Sequence, residues 1–357
     1  MSPGIPAKAF AATKLPQLDL IRDVLPMSLE EAHTRLLPFF PKYRKHNQRW
    51  KRVWVYMTPA GMRHALLDQN YKTGKTDPNH EGLTEVQGLS LLPNFLGFGP
   101  GLHSIDLTPY KLAAVGPVAS GTLCLKATAD CRKACLVYSG QNASAKYNAV
   151  AKRARTRALL TEPVAFLRML VEAIRFHRSR AARGEFSLYI RLNVFSDIPW
   201  ELFCPNLFTY EFAGTNFYDY TKVWGRDQPS NYDLTFSWSG ANREEALCEL
   251  ARGRRLAVVF GHPQGLPRLE AARRPRDYGL PNRFLGHRVV DGDVSDVRPR
   301  DSNRVIVGLR YKQARGQAFD PGKSRFVVAT RVGARDEVEV VGQDGAGQVH
   351  APLAHAG

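Results

Sequence analysis

Long apolar runs are missing from this chain, and no stretch approaches the ~18 residues that a bilayer-spanning helix needs. Its first residues, Met1-Ser-Pro-Gly-Ile-Pro-Ala-Lys8, lack the apolar core of a secretion signal. Cysteine is scarce, five in 357 residues, and an odd number in so long a chain does not read as a disulfide framework. The expected compartment is therefore a reducing cytoplasm, without membrane attachment, where clustered thiols are free to bind metal. Acid is also in short supply: 33 Asp and Glu stand against 50 Lys and Arg, a formal net charge of +17. That surplus favours polyanionic partners, nucleic acid first among them. What is present, 44% hydrophobic and 10% aromatic residues, is the composition of a folded globular protein. Nothing in the composition sets an oligomeric state.

Three regions are expected: a basic arm with some helix over 1–100, an α/β core over 101–335, and a frayed Gly/Ala-rich tail over 336–357. Residues 1–27 carry several prolines and little periodicity, as in an extended arm. Ser28 and Glu31 fit a capping box, with a helix to about Leu37 that Pro38 and Pro41 end. The run from Lys42 to Trp54 is basic and aromatic by turns. Arg44, Lys45 and Arg49 can neutralise phosphates there, and Tyr43 and Trp50 offer stacking faces. Asp68 to Gly101 reads as linker.

From Cys124 to Arg183 there are thirteen Lys and Arg against three Asp and Glu. Ala143–Leu160 predicts a helix bearing Lys152, Arg153, Arg155 and Arg157, candidates for phosphate contact. Thr161 and Pro163 open a second helix, with a buried stripe of Val164, Leu167, Leu170, Val171 and Ile174 and an outer face of Arg168, Arg175, Arg178 and Arg180. Strand-like runs follow: Ser187–Asn193, Asn216–Tyr220, Tyr232–Ser239, Leu256–Gly261, His287–Asp291, Val305–Leu309 and Phe326–Thr330. One helix lies among them, with Asn242 and Glu245 as its capping pair and Gly253 as its stop. Such alternation predicts an incomplete or distorted (β/α) barrel-like core, because the connections Thr221–Asn231 and Gly292–Arg304 barely suffice for crossover helices.

Cys124, Cys131 and Cys135 fall within twelve residues as C-x6-C-x3-C. A loop and one helical turn can bring three thiols to one ion, and Arg132 and Lys133 favour thiolates. The spacing is not that of a zinc finger, but three ligands leave one position open: on zinc it would take His103, His262, His287 or a water, and in an iron–sulfur cluster the uncoordinated iron would bind substrate or cofactor. Small buried cysteines in a core would be the plain alternative, and Cys204 and Cys248 are read that way. Several strands finish in polar groups: Asn193, Ser196 and Asp197; Asp219 and Lys222; Thr235, Ser237 and Ser239; Asp291, Asp293 and Asp296. In α/β folds ligands bind where strands finish, so Asn193, Asp197, Asp219, Lys222, Asp291 and Asp293 are candidate catalytic residues. Turn and cap formation would explain each of them singly.

The cysteine run together with RLNVFSDIPWE, FYDYTK, LTFSWS, AVVFG, VVDGDVSD and VIVGLRYK resembles the phage gene product 88 family, over roughly residues 100–330. The resemblance implies a phage, prophage or plasmid origin and a host-cell cytoplasmic location; that family brings no settled activity. A three-cysteine loop near the start of a partial barrel is also similar to radical S-adenosylmethionine enzymes, whose usual spacing is C-x3-C-x2-C, and would imply that cofactor. A barrel with aspartates and a zinc on three cysteines is similar to 7-deazaguanine transglycosylases. The expected function is thus a metal or iron–sulfur protein that modifies or repairs nucleic acid, DNA ahead of RNA. The alternatives are a DNA-binding phage protein in which zinc only staples a loop, and a nucleic-acid modification enzyme similar to the 7-deazaguanine transglycosylases.

Overall fold

The structure, a computed structural model, describes residues 4–40, 59–69, 83–88, 123–136, 146–184, 187–261, 280–312 and 319–329. Its helices are α1 (Ile5–Thr13), α2 (Leu29–Leu36), α3 (Pro59–Leu66), α4 (Ala129–Lys133), α5 (Lys146–Thr161), α6 (Pro163–Gly184), α7 (Trp200–Phe203) and α8 (Arg243–Ala251). Its strands are β1 (Leu67–Gln69), β2 (Leu83–Gly88), β3 (Ser187–Arg191), β4 (Asn216–Thr221), β5 (Tyr232–Ser237), β6 (Leu256–Gly261), β7 (Arg283–Phe284), β8 (His287–Asp291), β9 (Ile306–Arg310) and β10 (Val327–Ala329).

Local chemistry explains most of the helix boundaries. The Ser28 hydroxyl accepts from the Glu31 amide at 3.0 Å and opens α2, but Glu31 turns its own carboxylate to Arg35 at 2.7 Å, so only half of the capping box forms. Thr161 is the last residue of α5 and does not cap α6, which begins directly on Pro163, where a missing amide costs nothing. Asn242 precedes α8 without capping it; its amide accepts from the Ser239 amide and donates to the Ser237 carbonyl, tying the helix to the end of β5. Gly253, at φ +94°, follows α8 in the left-handed region.

α6 buries Phe166, Leu167, Leu170, Val171 and Ile174 at helical spacing, and α2 and α3 pack against it. Burial of each such side chain contributes about 1.5–3 kcal/mol. The region before residue 28 is not extended. It holds α1, with Pro6 in its first turn, and a wide turn at Leu20–Val24 whose first amides bond to Asp19. Leu15, Leu20, Val24 and Leu36 share one core with α6, Trp200 and Leu234, so these helices belong to the body of the fold. Two strands, β1 and β2, likewise occupy parts of the stretch read as linker.

The strand order is β1-β2-β3-β4-β5-β6-β9-β8-β7, with β10 added on β6. From β2 to β8 every pairing is parallel, and antiparallel β1 and β7 lie at the two edges. This corrects the barrel-like expectation: the sheet is open, and among the described residues no pairing joins β1 to β7. The short connections explain it in part. Residues 222–231 between β4 and β5 contain no helix, and 292–305 between β8 and β9 hold only a 3-10 turn at Arg298–Arg300, so no complete outer ring of helices exists to wrap a cylinder.

Candidate functional site

The parallel strands β3, β4, β5, β6, β8 and β9 finish along one edge, and the cysteine segment lies against it. Alternation along β4 divides its side chains. Phe217, Asp219 and Thr221 face the helix side, where Phe217 packs on Phe208 and Phe212. Tyr218, Tyr220 and Lys222 fall on the other side, where Tyr220 meets Arg191.

Past β3 the chain folds around Asn193. Its carbonyl oxygen accepts from Ser196 Oγ (2.8 Å), the Ile198 amide (3.1 Å) and Trp200 Nε1 (3.2 Å). Its amide nitrogen donates to the Ile198 carbonyl and to Asp219 Oδ2. Every group of this side chain is engaged, so Asn193 shapes the loop. Asp219 is fully buried inside β4, not at its end; it accepts from the Asn193 amide (2.7 Å) and from Tyr232 Oη (2.6 Å). Burial raises its pKa to about 6, against the pull of Tyr232, Arg191, Asn193 and Arg226 toward lower values.

Asp197 is the junction. Its carboxylate accepts from Thr221 Oγ1 (2.7 Å) and from the Lys222 amide (2.7 Å), and lies 3.5 Å from Arg226 Nη1. Arg226, wholly buried, makes a two-pronged pair with Glu201 at 2.8 and 2.5 Å and lies over the Tyr232 ring. The backbone amide of Asp197 donates to the Leu123 carbonyl at 2.7 Å, which fixes the start of the cysteine segment beside the β3 and β4 ends.

The segment is fastened at its other end too. Thr128 Oγ1 accepts from the Cys131 amide to cap α4 and donates to the Ser239 carbonyl. Asp130 accepts from Ser324 Oγ and the Arg325 amide. Cys131 packs with Ala134, Phe326 and Val327, and the Lys222 ammonium lies 5.8 Å from the centre of the same Phe326 ring. Cys124 is within electrostatic reach of Cys131 and Cys135, and Lys222 is within reach of all three. Burial pushes the Cys124 thiol well up although Lys222 pulls it down; Lys222 is raised by the three sulfurs and Asp197, against burial. Among the described residues, however, no three His, Cys, Asp or Glu side chains are arranged to hold one metal ion.

The sequence-predicted residues therefore separate. Asp197, Lys222 and the three cysteines come together, with Asn193 and Asp219 behind them in the buried scaffold. Asp291 and Asp293 do not join them. They sit at the ends of β8 and β9, four strand spacings or roughly 19 Å from β4, where Arg310 pairs with both at 2.9 and 3.4 Å and Lys312 with Asp293 at 3.2 Å. His287 lies on that far side, its Nδ1 2.9 Å from the Arg304 carbonyl. Cys204 is buried in the main core, its thiol pushed up to about 12 by burial, while Cys248 is exposed on α8.

Arg44, Lys45, Arg49, Trp50, His103 and His262 lie outside the described residues, as do the side chains of Lys152 and Arg153. Arg157 is exposed and Arg155 half-buried on α5. The arginines of α6 are largely occupied: Arg168 donates to the Met27 carbonyl, Arg175 pairs with Glu211 at 2.7 Å, and Arg178 reaches the Glu211 carbonyl. Sequence reasoning missed Glu201 and Arg226 as partners, and Arg191 and Tyr220 as neighbours on the second face. Alternation along β4 was the signal for Tyr220; nothing local announced Arg226.

Fold and site together define an α/β protein with an open, mainly parallel sheet and a cysteine segment seated at the edge where its parallel strands finish. The family model for Gene product 88 matches residues 64–329, and the chain belongs to that family. The match begins well before residue 100, taking in the end of α3 and all of β1 and β2. No curated protein and no solved structure matches the chain.

Proposed function

We propose that this gene product 88 protein carries a thiolate-bound metal or iron–sulfur centre on Cys124, Cys131 and Cys135 and acts on nucleic acid there, as a base-modifying or repair enzyme, with DNA ahead of RNA. One observation carries the reading: the bond from the Asp197 amide to the Leu123 carbonyl fastens the cysteine segment at the finishing edge of a parallel sheet, where α/β proteins bind ligands, with Lys222 within electrostatic reach of all three sulfurs. The surplus of +17 supports a polyanionic substrate. Closing the thiols on one ion requires the segment to tighten between its two anchors, Leu123 and α4, which metal binding can drive. Asp197 and Lys222 are the groups placed to hold or move a proton beside the centre. S-adenosylmethionine has no support beyond the cysteine count and forms no part of the proposal.

Metal analysis and visible absorbance of anaerobically purified protein test it. We expect about one centre per chain, lost in Cys124→Ser, Cys131→Ser and Cys135→Ser and kept in Cys248→Ser. A metal-free native protein, or a centre that survives all three changes, would sink the reading. A second reading, a zinc staple without catalysis, is favoured by the bonds from Thr128 and Asp130 to Ser239, Ser324 and Arg325, since these make the segment a clasp between β5 and β10. Colourless protein with zinc, together with unchanged DNA binding and no turnover of modified or damaged bases, would select it.

A further inference from the structure

The second face of the sheet holds polar residues where a buried parallel sheet ordinarily carries aliphatic ones. Arg191 on β3, Tyr220 on β4 and Thr235 on β5 lie side by side on it; Tyr220 and Thr235 are direct register partners. The Arg191 guanidinium sits 4.6 Å over the Tyr220 ring and spends two of its five donors on the carbonyls of Asn193 and Val194. No carboxylate pairs with it within ion-pair distance among the described residues, although Asp219 and Asp296 are within electrostatic reach. Lys222 follows on the same face, and Arg191, Tyr220 and Lys222 are all only half-buried. Beneath them the Thr235 hydroxyl is fully buried with no hydrogen-bond partner among the described residues, a cost of roughly 1–3 kcal/mol that packing alone would remove with a valine.

We propose that Arg191, Tyr220 and Lys222 form the seat of a nucleic-acid phosphodiester, held beside the cysteine segment. Arg191 supplies directed donors from a rigid guanidinium, and Lys222 supplies a second charge nearer the thiols. The buried Arg298 guanidinium, within electrostatic reach of Tyr220, adds a third cation beside the seat, and Asp296 and Asp301 offset part of that charge. The inference rests on the nucleic-acid part of the proposed function and adds where the strand lies.

Hydroxyl-radical footprinting of the wild-type chain, with and without a saturating short single-stranded oligonucleotide, tests it without any substitution. Tyr220 should lose at least half of its oxidation, while Tyr210, 63% exposed and remote from the seat, should keep its own. Anisotropy titrations of Arg191→Met and Lys222→Gln should each show roughly tenfold weaker binding, with the slope of log K against log salt smaller by about 0.7 for each lost contact. Arg22→Gln, a change at an exposed cation on the far helices, should alter neither. Oligonucleotide binding with Tyr220 unprotected overturns the seat alone. No binding at all removes the nucleic-acid reading with it. Metal content, measured on the same samples, reports on the centre independently of both.

Discussion

Asp219 and Arg226 show how much buried charge the site's scaffold carries. The folded Asp219 carboxyl titrates at about 6 against an ordinary 3.8, because burial disfavours its anion. The native state therefore binds this proton more tightly than the unfolded chain does. Its contribution to stability is greatest below about pH 4, declines as pH rises to about 6, and is constant above that, for a total of roughly 3 kcal/mol. Urea unfolding from pH 4 to pH 7 should show this decline, and Asp219→Asn should flatten it; a wild-type stability that rises steadily through the window would contradict the assignment. Arg226 presents the opposite case, a buried cation matched by Glu201 and Asp197. Glu201→Gln removes the two-pronged pair and leaves Asp197, at 3.5 Å, as the remaining ion-pair partner of Arg226 among the described residues, which should cost about 2–3 kcal/mol. Replacing the pair together, Glu201→Leu with Arg226→Met, should recover part of the loss in the same measurement.

Among the elements, β10 depends on a close approach that only glycine permits. Gly240, at φ +82°, lies so near the 325 peptide that an added Cβ would meet the Arg325 carbonyl carbon at 2.4 Å, and the adjacent Trp238 donates to the Arg325 oxygen at 3.0 Å. Gly240→Ala should destabilise the protein by roughly 2–4 kcal/mol in chemical denaturation. Gly225→Ala, at φ +71° but with nothing near its Cβ, should cost only about 1–2 kcal/mol; equal losses would mean that the contact is immaterial. Strands were the legible part of this sequence. The β-branched and aromatic runs from Ser187 to Ala329 correspond to β3, β4, β5, β6, β8, β9 and β10 with boundaries shifted by two residues or fewer where described. α1 was missed because Pro6 suggested an extended arm, yet proline in a first turn is harmless. β1 and β2 were missed because short edge strands carry too little pattern. Of the site, the cysteines and Asp197 with Lys222 were legible from spacing and strand ends. The separation of Asp291 and Asp293 was not, since it depends on β5, β6 and β9 being interposed, and strand order is invisible to local pattern.

At the scale of the molecule, net charge and phosphate contact come apart. The arginines of α6 hold helix to helix and helix to the 207–212 turn, so their charge is largely committed to the fold. Arg175→Gln should lower the melting temperature by a few degrees while leaving the salt dependence of nucleic-acid affinity unchanged. A slope reduced by the full value of one contact would return α6 to the phosphate track. The clasp of the cysteine segment has a consequence in time as well as space. Its anchors, Ser239 and Ser324, lie 111 and 194 residues further along the chain. During synthesis the three thiols leave the ribosome long before the partners that seat them, and contacts of such separation form late. Any metal is therefore delivered either to a finished scaffold or to a loop of sulfurs that stays unseated until the segment leading into β10 has docked.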